Sequence, residues 1–336
     1  MLTAKKVKKF ARQMGADLVG IASMDRFEGA PKEQDPRYVF PEAKSCIVLA
    51  FRIPRGYLRG IEEGTHFSVY TSMGYAGINE VYAPMVLREL SCYLEDHGYE
   101  AVPQPNIYLR SSVGSGKGKN DSKVSIPVAE GLPAPDVMID MRVAAYAAGL
   151  GEYGWSKVFL TPEFGPLQRF AALLTDADLE PDPIFAGGLC DRCMRCAHAC
   201  TGGAISTTES DTLTIAGHTV EYAKIDLRKC AAFYRGANPA YNPFLSSETT
   251  EEDRQKFLAE WAAMERSTGI PPYMRHASAL EGARGCMREC YVHLEEAGRL
   301  KKKFFNKFRK RKPWFIDREK VKDIFVGKKP PSKELL

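Results

Sequence analysis

Nowhere does this chain carry an apolar run approaching the ~20 residues that a bilayer-spanning helix needs, so a helical membrane span is not expected. Its first residues, Met1-Leu-Thr-Ala-Lys-Lys-Val7, contain neither the apolar core of a secretory signal nor a twin-arginine pair. A cytoplasmic location is therefore the expectation. Low-complexity tracts are also missing, which excludes a linker-like or disordered polymer. What remains is a chain of 336 residues with 44% hydrophobic content, enough for one large or two modest globular domains. Charge of either sign is nearly balanced, at a net +5, but not evenly spread. Residues 299–312, Arg-Leu-Lys-Lys-Lys-Phe-Phe-Asn-Lys-Phe-Arg-Lys-Arg-Lys, hold nine cations and no acid. Removing those nine from +5 leaves the rest of the chain at about −4.

Cysteine is where the sequence is rich. Cys190, Cys193, Cys196 and Cys200 follow a C-x2-C-x2-C-x3-C spacing, that of a bacterial-ferredoxin cluster loop. Two-residue steps let three thiolates wrap one cubane, while the fourth, a helical turn further on, points to a second cluster. Structural zinc sites more often use two separated pairs of ligands, and a disulfide framework does not suit a long, unexported chain. In the ferredoxin scheme Cys290 completes the first cluster. Cys200, Cys230 and Cys286 hold the second, whose fourth cysteine would stand at position 283. That position is Ala283. The second cluster is thus a three-iron cluster, a four-iron cluster with a non-cysteine ligand such as His276 or Glu281, or a cubane with an open iron. Cys46, in an apolar run, and Cys92, in a helical pattern, read as core residues.

Ahead of the cysteines lies an α+β pattern of roughly 185 residues. Residues 2–15 read as an amphipathic helix with Val7, Phe10, Ala11 and Met14 on one stripe. Strands are expected at 16–22, 46–53 and 99–103, and a long helix at 78–97 with Val81, Met85, Leu87 and Leu94 inward. Residues 106–135 read as a loop, 137–149 as helix, and 157–160 with 169–176 as a strand pair. Gly114-Ser-Gly116-Lys-Gly118-Lys119 fails the Walker pattern, because Val113 and Asn120 stand where glycine and Ser or Thr are needed. Gly149, Gly151 and Gly154 form a G-x-G-x-x-G, but a helix precedes it rather than a strand, so it is not a dinucleotide fingerprint. On spacing alone it marks a backbone-lined cofactor pocket.

The order Ala16-Asp17-Leu-Val-Gly20-Ile21, Pro41-Glu-Ala-Lys44-Ser45, Ala148-Gly149-Leu-Gly151, Leu160-Thr161-Pro162-Glu163-Phe-Gly165-Pro166 and Thr175-Asp176, followed by the cysteine module, resembles the superfamily of corrinoid-dependent reductases across residues 1–315. Reductive dehalogenases and epoxyqueuosine reductases are its members. The resemblance implies a nitroreductase-like domain over 1–185 that holds cobalamin base-off, with FMN the lesser alternative. It implies a ferredoxin-like module over 186–298 with one 4Fe–4S cluster and a second of the 4Fe–4S or 3Fe–4S type, leaving 299–336 as a basic strap. Backbone around Gly149, Gly151 and Gly154 and around Thr161, Pro162 and Gly165 would lie near the corrinoid. None of the histidines (His66, His97, His198, His218, His276, His293) sits in the Asp-x-His-x-x-Gly motif that ligates cobalt in other corrinoid proteins.

Reductive cleavage of a C–X or C–O bond needs a proton donor. By similarity to the dehalogenases, Tyr75 takes that role, with Arg142 as a neighbouring cation, and Asp140 or Asp136 as the acid of the epoxyqueuosine type. The implied partners are a small organic substrate and a reduced ferredoxin or flavodoxin; tRNA is the alternative substrate, and the nitroreductase relation hints at a homodimer. A chain that only carries electrons is a further alternative. The strap suits nucleic acid, anionic lipid or an acidic electron donor. It equally suits a solvated segment whose Phe304, Phe305 and Phe308 pack on the body, anchored by Trp314-Phe315-Ile316.

Overall fold

Three nearly unbroken apolar stretches become the main strands of a four-stranded antiparallel sheet, β1 (Leu18–Ser23), β2 (Ser45–Arg52) and, much later, β6 (Gln168–Thr175), with β3 (Ala101–Gln104) at the edge. The order is β1-β2-β6-β3. The computed structural model describes residues 2–106, 126–135, 137–244 and 284–320. The glycine–lysine segment 114–119, Asp136, His276, Glu281 and Ala283 lie outside the described residues.

β2 is buried on both faces because side chains alternate across a strand and each face meets its own layer. Ile47, Leu49 and Phe51 pack with α1 (Ala4–Gln13) and the helix α3 (Ala83–Glu95), while Cys46, Val48 and Ala50 pack against α4 (Met141–Ala147). Each fully buried Ile, Leu or Phe contributes about 1.5–3 kcal/mol. α1 starts where the Thr3 hydroxyl accepts the Lys6 N–H at 3.3 Å, and it buries Val7 and Ala11 with Phe10 and Met14 beside them.

Two expectations change. The segments 157–160 and 169–176 form strands but do not pair with each other. β5 (Phe159–Leu160) pairs with β4 (Glu152–Tyr153), and β6 takes its place between β2 and β3. On α3 the buried side is Ala83, Val86, Leu87, Leu90 and Leu94, whereas Val81 and Met85 are exposed. The reason stands just ahead, after the short α2 (Arg59–Glu63): Tyr70–Tyr82 is a π-helix, whose wider turn shifts the inward stripe.

The cysteine region consists of α5 (Arg195–His198), a hairpin of β7 (Ile205–Ile215) and β8 (His218–Ile225), α6 (Leu227–Tyr234) and α7 (Cys286–Glu296). Met287, Tyr291, Val292 and Leu294 of α7, with Leu300 and Phe308 of the strap, belong to the same apolar core as α1 and α3. Cys46 is fully buried in β2, and Cys92 is partly buried on α3. Among the described residues no helix is long and apolar enough to cross a membrane.

Candidate functional site

The spacing scheme divides the other seven cysteines into a first set, Cys190, Cys193, Cys196 and Cys290, and a second, Cys200, Cys230 and Cys286; in the structure their thiols lie close enough to act on one another within and across the two. Burial, and then the neighbouring thiols Cys196, Cys190, Cys286 and Cys193, push the Cys290 thiol well above its ordinary value. Burial likewise pushes Cys286 up to about 12, with Cys196, Cys230 and Cys200 adding to it. Cys196 is pushed up to about 11, by burial first and then by Cys190 and Cys193, against a hydrogen bond from Ser156. Cys230 is raised by burial and by Cys200. Crowded thiols that disfavour each other's ionisation are the donor set that a cationic iron–sulfur core resolves. Backbone N–H groups already point at two of the sulfurs: Trp155 to Cys190 Sγ and Ala204 to Cys200 Sγ, both at 3.3 Å. Within the loop Arg192 and Met194 adopt left-handed φ of 55° and 59°, local strain of the kind retained around a ligand. Every cysteine of the chain lies in the described residues, so beside Cys200, Cys230 and Cys286 the chain offers the expected second set no fourth cysteine.

Beside the second set opens a cavity of about 510 Å³, within the usual size range of ligand sites. Its wall contains Cys286 itself, then Met287 and Tyr234, the π-helix residues Tyr70 and Tyr75, Asp140 and Arg142 at the start of α4, and Gln168 and Arg169 at the start of β6. The three residues expected to do acid chemistry, Tyr75, Asp140 and Arg142, thus face one space. The cation on Tyr75, however, is not Arg142. Arg169 stacks over the Tyr75 ring with its guanidinium carbon 4.0 Å from the centroid, and its Nε donates to Asn79 Oδ1 at 3.0 Å. Arg142 instead pairs with Asp140 at 3.3 Å and donates to the Lys157 carbonyl at 3.4 Å. Asp140 also caps α4, accepting the Arg142 N–H at 2.9 Å.

Arg169 and Gln168 escaped the sequence reading because they open a strand that is apolar from Phe170 to Leu174; that polar pair was itself the available signal. Gln168 is fixed by two bonds, its Nε2 to the Phe159 carbonyl at 2.8 Å and its Oε1 from Thr161 Oγ1 at 3.1 Å. Tyr70, buried between Arg169 and Cys286, has its phenol pushed well above its ordinary value, by burial first.

The glycine-rich segments meet the chain's own backbone. Gly149 (φ 70°) ends α4, and a Cβ there would lie 2.1 Å from the Pro183 carbonyl oxygen; at Gly151 it would lie 1.9 Å from that of Leu160. Gly154 closes a turn onto the Val158 carbonyl, and Thr161 bridges Gly165. The Pro162 carbonyl accepts the Lys301 N–H of the strap at 2.8 Å. None of the six is among the residues that line the 510 Å³ cavity. Thr161 reaches it through Gln168.

A tetrachloroethene reductive dehalogenase of Dehalobacter restrictus is 28% identical over 267 residues, 71% of this chain and 45% of the relative. An epoxyqueuosine reductase of Gloeobacter violaceus is 27% identical over 267 residues, 71% of this chain and 67% of the relative. The chain is homologous to both kinds of reductase. It spans about half the length of the dehalogenase relatives. No protein-family profile matches it. Among solved structures, a catabolic reductive dehalogenase in complex with 3-bromo-4-hydroxybenzoic acid aligns over 87% of this chain and 38% of its own, at TM-score 0.49 and 18% identity. An epoxyqueuosine reductase with a tRNA stem loop aligns over 88% of this chain and 82% of its own, at TM-score 0.44 and 16% identity.

Proposed function

We propose that the chain is a reductase in which Cys190, Cys193, Cys196 and Cys290 would hold one iron–sulfur cluster, Cys200, Cys230 and Cys286 would hold a second, and the residues lining the 510 Å³ cavity would hold a corrinoid. Residues 1–185 supply most of that cavity and 186–298 the clusters. The observation that carries the reading is a cluster cysteine, Cys286, in the same wall as a tyrosine with a guanidinium stacked on its ring. A bound corrinoid would supply the low-potential electron chemistry, as the sequence resemblance implies. The chain's own residues do the rest. Tyr75 gives a proton to the carbon from which a halide or alkoxide departs, and Arg169 stabilises the negative charge left on the phenolic oxygen. Gln168, held by Thr161 and Phe159, and Arg142 orient the substrate. The sum of the reaction is two electrons and one proton in, and the leaving group out. The substrate class is a small organic molecule with a reducible C–X bond.

The test is metal content, then turnover. After anaerobic reconstitution with iron and sulfide, incubation with hydroxocobalamin and desalting, about one cobalt and about seven or eight irons per chain are expected. Bromide release from 3-bromo-4-hydroxybenzoic acid, as a probe halophenol, would then be measured under a strong reductant. Iron without retained cobalt overturns the corrinoid reading and leaves an FMN-bearing reductase or an electron carrier. A second reading, reduction of a modified base in tRNA, is favoured by Asp140, an acid in the same cavity. Cobalt retention with turnover of epoxyqueuosine stem loops and none of halophenols would decide for it.

A further inference from the structure

The strap at 299–312 divides its nine cations between two tasks. Arg299 pairs with Asp191 at 3.0 Å, Lys301 with Glu163 at 2.8 Å, Arg309 with Glu62 at 2.7 Å, and Arg311 with Glu63 at 3.5 Å. Phe308 is fully buried. These residues fasten the segment to the body. Lys302, Lys303, Lys307, Lys310 and Lys312 are exposed and form no ion pair among the described residues. Beside them Phe305 is wholly solvent-exposed.

The row of lysines outside ion pairs, of which Lys303 donates to the Gly298 carbonyl at 2.9 Å, begins just after Arg299, beside the first cysteine set. Arg299 also donates to the Leu189 carbonyl at 2.8 Å, next to Cys190. Its partner Asp191 lies 2.8 Å from His293, and ligand atoms of Asp191, Cys193 and His293 fall within 4.8 Å of one another. Cys193 is the exposed cysteine of the first set. Arg192 and Arg195 flank it, about half exposed. Cys230 of the second set is exposed too, but that set has Cys286 in the cavity wall, which makes it the outlet. No strap residue is among those lining the cavity.

We infer that the strap and the Cys193 edge together form the docking surface for an acidic one-electron carrier protein. This rests on the two-cluster reading. The carrier's negative face lies along Lys302, Lys303 and Lys307, and its redox centre is brought to Cys193. One electron leaves the carrier and reduces the first cluster by one unit; no bond forms or breaks and no proton moves. Nucleic acid is disfavoured as the occupant because these lysines adjoin the electron inlet and do not line the cavity.

The experiment uses the reconstituted full chain, with iron content and visible absorption measured first, so that a failure of the cluster reading is seen separately. Bleaching is followed by stopped flow with two reductants: a reduced, acidic two-iron ferredoxin, and photoreduced deazariboflavin, which is small and uncharged. Lys302→Glu/Lys303→Glu/Lys307→Glu is expected to slow reduction by the ferredoxin by about tenfold or more and to leave the deazariboflavin rate within about twofold. The Gln triple variant falls between. For the native chain the ferredoxin rate drops between about 50 and about 500 mM salt, and for the Glu variant it does not. An unchanged ferredoxin rate, or equal loss with both reductants, overturns the proposal. So does an unchanged rate accompanied by loss of tRNA stem-loop binding in a gel shift, which assigns the strap to RNA.

Discussion

At the scale of single residues, the stacked pair Tyr75–Arg169 concentrates what the cavity can do. Arg169 is only partly buried, and its guanidinium is held from two sides, by the Tyr75 ring and by the buried Asn79 amide oxygen. Tyr75→Phe keeps the ring and the stack but removes the proton. Turnover of the probe halophenol should fall about 10²- to 10⁴-fold with little change in thermal midpoint. Arg169→Lys keeps the charge but loses the planar stack and directed bond to Asn79. It should lower kcat less than Tyr75→Phe with KM little changed, which a loss of packing alone would not do. If Tyr75→Phe turns over normally, Asp140 is the next donor to test. The second cluster makes a separate prediction. On the two-cluster proposal the set Cys200, Cys230 and Cys286 lacks a fourth cysteine, so a four-iron cluster there should release about one iron per chain quickly on exposure to air and the rest slowly, whereas a three-iron cluster should show no fast phase. Ala283→Cys is expected to abolish the fast phase, followed by chelator absorbance.

At the scale of elements, what was legible follows from how much one physical effect dominates. β1, β2 and β6 are each built on a continuous apolar run, and α1 has one clean stripe, so their positions could be read directly. The seven cysteines stand out by spacing alone, and the fold brings their thiols close enough to act on one another. The π-helix Tyr70–Tyr82 had no period to detect, with buried and exposed residues interleaved at a pitch that neither helix nor strand templates match. The β7–β8 hairpin was missed for a related reason: most of β7 is solvent-facing, so the apolar/polar alternation that marks a half-buried strand is absent, and only the Ala216-Gly217 turn signals it. Arg169 was hidden because a pattern says that a strand is buried and not what a polar residue in it will meet. β2 also carries a pH prediction. Burial pushes Cys46 up to about 12, above the ~8.5 of an unfolded cysteine. Its proton is therefore held more tightly in the folded state. The resulting stability is fully present below about pH 8.5 and is lost as pH rises toward 12. Between pH 7.5 and 9.5 Cys46 should account for about 1.4 kcal/mol of lost stability, visible as a shallower pH slope of the urea midpoint in Cys46→Ala. In cluster-loaded protein the ligating thiolates do not contribute to that difference.

Across the whole molecule, the strap joins parts that are far apart in sequence. Glu62, on α2 and 5% exposed, lies 3.0 Å from Arg288 of α7 and 2.7 Å from Arg309 of the strap; Arg309 in turn donates to Glu289 at 2.8 Å. Trp314 Nε1 donates to the Ile61 carbonyl at 2.9 Å, and Arg284 donates to the Trp314 carbonyl at 2.9 Å. Burial has already lowered Arg288 to about 10, with Glu62 working against that fall. Removing the Glu62 charge would leave Arg288, 1% exposed, uncompensated. Glu62→Gln should therefore destabilise by about 3–5 kcal/mol, the usual result of breaking a buried ion pair from one side. Because α7 also carries Cys286 and Cys290, the same variant should release iron from both clusters faster to a chelator. It should do so even at temperatures where circular dichroism shows the sheet intact, since the sheet's own core does not include Glu62. Lys310→Ala, exposed and outside the ion network, should shift the midpoint by no more than about 0.5 kcal/mol. Equal iron release from the two variants would mean that the strap does not secure α7, and that the clusters depend on the cysteine loops alone.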